Sequence, residues 1–304
     1  MHDIIRIGRR AVPITNPDKV IFPGVGITKG EMVEYYRRIA PHMLPHLRGR
    51  PIAMERYPDG IDQPGFFQKA AASYYPDWIR TVTVRKVGGT VRHVVCNDAA
   101  TLVYIANLAC VTPHIWLSRA PAVDYPDQLV FDLDPSGDSF EPVKTTAQAF
   151  KQLLDQLGVP AYLKTTGSRG LHVAVPLRPD ARFEAVRAAA QQLAEVVVRQ
   201  APGERTLQLR KQLRRGRVFV DINRNAYAQT VAPAYAVRAR PGAPVSVPLE
   251  WQELSHRALR PDGVTLRTID ERLAAAGDPW AGFWRRAVSL HSVVRKLEDR
   301  NAAR

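Results

Sequence analysis

Asp132 and Asp134 stand two residues apart in the run Gln128-Leu129-Val130-Phe131-Asp132-Leu133-Asp134-Pro135. A strand alternates its faces with period two, so Leu129, Phe131 and Leu133 turn toward a core while Val130, Asp132 and Asp134 share the opposite face. Carboxylates so placed lie about 6 to 7 Å apart along the strand and repel unless something positive sits between them. A divalent cation with oxygen ligands answers that need. An isolated Asp-x-Asp is equally compatible with a strand end running into an acidic turn, so the surrounding elements have to decide.

Those elements follow in a recognisable order. Pro142 opens a helix with Val143, Ala147, Phe150, Leu154 and Leu157 at helical spacing, stopped by Gly158 and Pro160. Residues 161–165 read as a strand, Gly167-Ser168-Arg169-Gly170 as a tight turn and 171–175 as the returning strand. A second amphipathic helix over 180–199 and a last strand over 217–222 complete β-α-β-β-α-β. This is the split ferredoxin-like or RNA-recognition-motif-like unit, with both helices on one sheet face. Its first strand lies between the third and the fourth, so His172 and Asp221 are expected beside Asp132 and Asp134. Three carboxylates on neighbouring strands suit two Mg²⁺ or Mn²⁺ ions about 3.5 to 4 Å apart, one activating a 3′-hydroxyl and one holding a triphosphate. The Gly167–Gly170 turn adds backbone N–H groups, the Ser168 hydroxyl and the Arg169 guanidinium for phosphate oxygens. Just before Asp221, the stretch from Arg210 to Arg217 holds five cationic residues in eight, as a solvated loop or a nucleic-acid contact.

Upstream, Thr28 with Glu31 three residues on forms a capping box that opens a helix to about residue 47, burying Met32, Tyr35, Tyr36, Ile39 and Met43. A strand over 52–57 leads to a Gly/Pro loop carrying Phe66, Phe67 and Lys69, an aromatic pair that either folds into the core or stacks on a base. Segments 81–87 and 91–96 alternate around Gly88-Gly89 as a hairpin, with Arg85, Lys86 and Arg92 near its tip. Asp98 caps a helix expected to run to about residue 111. Segments 267–273 and 280–297 read as C-terminal helices.

The 304 residues are enough for one large domain or two subdomains. Net charge is +14, from 43 Lys and Arg against 29 Asp and Glu, which favours a polyanionic partner over a merely soluble basic surface. Only nine of the 43 are Lys, so part of the Arg excess can reflect coding bias. Cys96 and Cys110 belong to no zinc-spaced cluster and set no disulfide framework. With no apolar signal-peptide core and no run of membrane-spanning length, the expectation is a cytoplasmic, nucleoid-associated protein.

At these residues the chain resembles the archaeo-eukaryotic primase superfamily, and within it the polymerase domain of bacterial ATP-dependent DNA ligase D. The three stretches that carry the resemblance are Leu129 to Pro135, Thr166 to Val173 and Arg217 to Asp221. It extends to Asn16-Pro17-Asp18-Lys19, Phe66 to Lys69, His114 to Arg119 and the segment from Asn225 to Pro244. The resemblance implies an α+β, primase-like fold with a split β-α-β-β-α-β catalytic core and an N-terminal α/β subdomain. As one polymerase domain over 1–304, it would devote 1–120 to DNA ends and template, 127–225 to catalysis and 226–304 to a segment packing on the core. The implied activity is template-directed nucleotidyl transfer in bacterial non-homologous end joining, preferring ribonucleotides and Mn²⁺, on gapped, overhanging or 5′-phosphorylated DNA, with Ku and a DNA ligase as partners. Carried over by position, Asp132, Asp134 and Asp221 match the catalytic metal ligands, and Ser168, Arg169, His172 and Arg238 the contacts to the incoming triphosphate. Lys19 and Lys29 match a 5′-phosphate pocket, Phe66 and Phe67 the template-stacking residues, and Arg85 and Lys86 lie on a loop that bridges DNA ends. Glu55 departs from the pattern, standing where some relatives have a basic residue. No Lys-x-Asp-Gly adenylation motif is present.

Two other classes compete. Asp132-Leu133-Asp134-Pro135-Ser136 approximates the Asp-x-Asp-x-Thr signature of haloacid-dehalogenase-type phosphatases, which needs a parallel doubly wound sheet where this chain implies a hairpin. A non-catalytic nucleic-acid-binding module shares the split unit, but three carboxylates on its binding face would repel phosphate.

Overall fold

Gln128–Asp134 is an interior strand of a six-stranded sheet. The computed structural model describes residues 3–303, and they fall into two compact units. One comprises the chain through Pro121 with Thr230–Ser246 and Val264–Ala275. The other comprises Ala122–Gln229, Val247–Gly263 and residues from Ala276 onward. Residues 226–304, expected as a single segment on the catalytic core, are therefore divided between the two.

In the second unit the strand order is Arg205–Thr206, Val218–Asp221, Gln128–Asp134, Leu171–Pro176, Tyr162–Thr165, Pro248–Leu249. The four inner strands and the helices Glu141–Gln156 and Phe183–Gln200 reproduce the expected β-α-β-β-α-β order. The two edge strands were not foreseen; at two residues each they carry no period-two pattern to read. All neighbours are antiparallel except Arg205–Thr206 with Val218–Asp221. Leu129, Phe131 and Leu133 enter a core with Val143, Phe150, Leu154, Leu193 and Val197 of the two helices. Phe131 and Phe150 stack with ring centroids 4.1 Å apart. Because that face is closed by helices, the alternation pushes the Asp residues to the other. The expected helix over 280–297 is a helix only at Leu290–Ala302. Gly282, at φ +82°, and the stacked rings of Trp280 and Phe283 hold the earlier part as a short turn.

In the first unit a sheet runs Thr230–Val231, Cys110–Trp116, Pro51–Arg56, Gly89–Val95, Thr81–Lys86, with Phe66–Gln68 paired to Pro51–Arg56. The helix Lys29–Leu47 begins as expected: the Glu31 N–H donates to Thr28 Oγ1 at 3.2 Å and the Thr28 N–H to Glu31 Oε2 at 3.0 Å. Asp98 does cap a helix, but it ends at Asn107 rather than near residue 111. Ala109 takes φ +58° and Cys110–Trp116 enters the sheet, a strand that Pro113 disguised in the sequence. In the hairpin Lys86 pairs with Gly89, so the turn is Val87-Gly88, one residue earlier than expected, with Gly88 at φ +75°. The segment expected helical over 267–273 is the helix Ile269–Ala276. Among the described residues no helix is long and apolar enough to cross a membrane.

Candidate active site

Pairing register places four polar residues in one row across the second unit's sheet. Asp132 is directly opposite Asp221 on one side and His172 on the other, and His172 is opposite Lys164. Directly opposed residues share a face, and Asp134, two along, joins it opposite Phe219. The expected gathering of Asp132, Asp134, Asp221 and His172 is thus what the register produces. Lys164 was missed, although a single charged residue within the otherwise uncharged strand Tyr162–Thr165 could have signalled it. It is buried, at 3% exposure, as are Asp132, His172 and Asp221.

The Gly167–Gly170 turn is pinned against the Asp strand. Thr166 Oγ1 accepts the N–H groups of Ser168 at 3.3 Å and Gly170 at 3.1 Å. Any Cβ on residue 170 would lie 2.1 Å from the carbonyl oxygen of Leu133, so only glycine allows the approach. Arg169 donates to the carbonyl of Gly137, in the loop that follows the strand, at 2.8 Å. In the basic stretch after Leu209, the Arg214 guanidinium lies 3.8 Å from the centroid of Phe219, on the face that holds Asp134.

Electrostatics on this face are uneven. Burial opposes the charge of Asp132, but His172, Arg224 and Lys164 outweigh it and hold its carboxyl down at about 2. Burial, with Lys164 adding to it, pushes His172 down to about 4. At neutral pH that imidazole is uncharged, so Arg224 and Lys164 are the cations that remain facing Asp132. Asp134 goes the other way, raised to about 7 by burial and by the charges of Asp132 and Asp221. His172 Nε2 lies 3.3 Å from Asp132 Oδ1, and Asp132 Oδ1 and His172 Nδ1 are buried without a hydrogen-bond partner.

Arg224, which sequence reasoning also missed, brings its Nε to 3.4 Å from Asp132 Oδ2 and 3.6 Å from Asp221 Oδ2. Asp221 Oδ1 accepts from the Asn223 backbone at 2.8 Å and side-chain amide at 3.0 Å. With Asp132 Oδ2 and both Asp221 oxygens so engaged, the carboxylates do not fit a metal ion as they stand. Among the described residues no group of three or more His, Cys, Asp or Glu is arranged to hold one.

The remaining positions lie in the first unit. Phe66 and Phe67 are 48% and 54% exposed, which rules out the core alternative. Phe66 sits under the Arg56 guanidinium at 5.3 Å and Phe67 edges the His114 ring at 5.2 Å. Lys29 is buried and donates to Thr15 Oγ1 at 3.1 Å, while its backbone N–H donates to the Lys19 carbonyl at 2.8 Å. Burial, and then the charge of Lys19, lower the Lys29 pKa. The Lys19 ammonium itself pairs with Asp59 at 2.7 Å. Arg85 and Lys86 are exposed beside the hairpin tip. Glu55, the departure noted above, receives His114 at 2.9 Å and Tyr57 at 3.0 Å, and Arg238 adds a favourable charge to it.

A family model for the LigD primase-polymerase domain matches residues 28–280. The chain belongs to this family. It is 34% identical over 280 residues to the multifunctional non-homologous end joining DNA repair protein LigD of Mycobacterium tuberculosis, covering 88% of this chain and 36% of that protein. With the bifunctional non-homologous end joining protein LigD of Bacillus subtilis it shares 31% identity over 295 residues, covering 94% and 47%. The solved polymerase domain of Mycobacterium tuberculosis ligase D in complex with DNA superposes with a TM-score of 0.86 at 33% identity, over 91% of this chain and 99% of that one. The α+β, primase-like fold is thereby established. This LigD-family chain spans between about a third and a half of the curated relatives' length.

Proposed function

We propose that this chain is a template-directed nucleotidyltransferase that fills gaps and extends ends during non-homologous end joining of DNA double-strand breaks. The observation that carries the proposal is the row Asp221–Asp132–His172 with Asp134 beside it, bordered by a glycine-pinned Ser168-Arg169 turn. Carboxylates and phosphate-binding donors on one rigid sheet are what attack by a 3′-hydroxyl on a triphosphate requires. In this reading Ser168, Arg169 and the turn's N–H groups hold the triphosphate. His172 offers its unpartnered Nδ1 from a buried, neutral ring. Asp132, Asp134 and Asp221 take Mn²⁺ or Mg²⁺, two ions when charged, after the local rearrangement considered below. The substrates are nucleoside triphosphates, ribonucleotides ahead of deoxyribonucleotides, and the enzyme acts in the cytoplasm on nucleoid DNA alongside Ku and a DNA ligase activity.

Phe66 and Phe67 stack on the template, Lys19 and Lys29 read a 5′-phosphate, and Arg85 and Lys86 help to bridge two ends. A haloacid-dehalogenase reading has no support, since both neighbours of the Asp strand are antiparallel to it. The test is extension of a labelled primer on a template with Mn²⁺ and each nucleotide set. Wild-type protein should extend, and Asp132→Ala should lose about 10³-fold or more in rate while still binding DNA. Extension by Asp132→Ala near the wild-type rate would sink the assignment of the site. Deoxynucleotides outcompeting ribonucleotides would reject the sugar preference alone.

A further inference from the structure

Among the described residues the three carboxylates that should attract cations are not arranged to hold one, and one side chain lies against two of them. Asp132 and Asp221 are directly opposed across antiparallel strands, where their charges are closest. The Arg224 guanidinium reaches both, with Nε 3.4 Å from the Asp132 carboxylate and 3.6 Å from that of Asp221. These distances are longer than the 2.7 to 2.9 Å, roughly, of a strong charge-assisted hydrogen bond. The side chain is 40% exposed, against 10% and 12% for the two carboxylates. A loosely held, solvent-reaching guanidinium can leave; the carboxylates cannot.

Its backbone, by contrast, is fixed. Arg224 lies in the short turn Asn223–Asn225. Asn225, with 0% exposure, accepts the Val130 N–H at 2.8 Å and donates to the carbonyls of Val130 at 2.7 Å and Ile222 at 2.9 Å. Its amide stands in for a neighbouring strand at the point where Val218–Asp221 has ended. The turn is thereby stapled to the Asp strand, and Asn223 ties it to Asp221. The Arg224 side chain is held only by its loose contacts to Asp132 Oδ2 and Asp221 Oδ2, while the other Asp132 oxygen, Oδ1, has no hydrogen-bond partner.

We infer that Arg224 is a built-in stand-in cation: in the resting protein its guanidinium occupies the place of a divalent ion between Asp132 and Asp221, and the ion binds by displacing it. The inference rests on the reading of this face as a divalent-metal site. It assigns Arg224 two effects of opposite sign. The guanidinium relieves carboxylate repulsion while no metal is bound, and it competes with the metal when metal arrives.

The experiment is a calorimetric titration of Mn²⁺ alone, without nucleotide or DNA, into wild type, Arg224→Gln and Arg224→Lys, with Asp221→Asn defining the heat that belongs to this site. Losing one partly exposed ion-pair partner should tighten Mn²⁺ binding about fivefold in Arg224→Gln. Arg224→Lys, which keeps a cation, should stay nearer wild type and guards against a misfolded Gln variant. In chelator, Arg224→Gln should melt below wild type and gain more from Mn²⁺. Equal or weaker Mn²⁺ binding by Arg224→Gln, with its circular dichroism unchanged, overturns the stand-in role while leaving the metal site intact. Absence of Asp221-dependent binding in every protein overturns the metal reading and this inference with it.

Discussion

Asp134 bears the charge least favoured on the catalytic face, and folding stability should register it. Its carboxyl is raised from the usual 3.8 to about 7, first by burial and then by Asp132 and Asp221. The folded state therefore holds its proton more tightly than the unfolded chain. Stability attached to that proton is fully present below pH ~4 and is lost as pH rises through about 7. In chelator, Asp134→Asn should gain roughly 2 kcal/mol over wild type at pH 8, half of what the full shift converts to, and the gain should vanish near pH 4. Denaturant midpoints at the two pH values measure this, and a gain of equal size at both would assign the effect to packing instead. The same scale shows what could be read from sequence. Asp132, Asp134 and Asp221 were legible because strand alternation fixes a face from spacing alone. Arg224 was not, because it acts from a turn whose conformation depends on Asn223 and Asn225. Lys164 enters the row only through the register of a neighbouring strand.

Among the elements, long amphipathic ones and those with explicit caps were readable, as the helices Lys29–Leu47, Glu141–Gln156 and Phe183–Gln200 illustrate. Elements defined by a partner were not. Cys110–Trp116 contains a proline, and Arg205–Thr206 and Pro248–Leu249 exist only as rungs beside longer strands. The segment Phe66–Gln68 belongs to this second kind: it read as a Gly/Pro loop and is a strand on the edge of Pro51–Arg56. That placement sharpens what its rings can do. Pairing of Glu55 with Phe67 and of Arg56 with Phe66 holds the backbone still while both rings stay half exposed. Replacing both with Ala should then weaken binding to gapped or overhanging DNA by about 1 to 3 kcal/mol per stacked base. Because neither ring fills the core, the melting temperature should move little. Fluorescence-anisotropy titration and thermal melts of the same samples provide the check, and a large drop in melting temperature with unchanged DNA affinity would reverse the assignment.

For the whole molecule the guiding quantity is the net charge of +14, which overstates what DNA can feel. Much of the arginine complement is occupied internally. Arg50 is fully buried with its guanidinium on the carbonyls of His46 and Trp116. Arg56 donates to the Leu108 carbonyl, Arg205 to that of Val197, and Arg217 to those of Pro202, Leu213 and Arg214. Arg37, Arg38 and Arg267 pair with Glu34, Asp270 and Glu31. These residues shape the protein, and their charges are spent on carbonyls or carboxylates before a phosphate arrives. Binding to a blunt 5′-hydroxyl duplex should therefore release few counterions, with log K against log salt falling at a slope of about −4 to −6. A slope steeper than about −10 would mean that nearly every excess cation touches DNA and that the internal pairs open on binding. The matched 5′-phosphorylated duplex adds one charged terminus to the titration. If Lys19 and the helix start at Lys29 receive it, Lys19 must exchange Asp59 for phosphate. Wild type should then prefer the phosphorylated duplex at every salt concentration, Asp59→Asn should widen the preference and Lys19→Ala should erase it. Equal weakening of both duplexes by Lys19→Ala would reduce that lysine to one more diffuse surface charge.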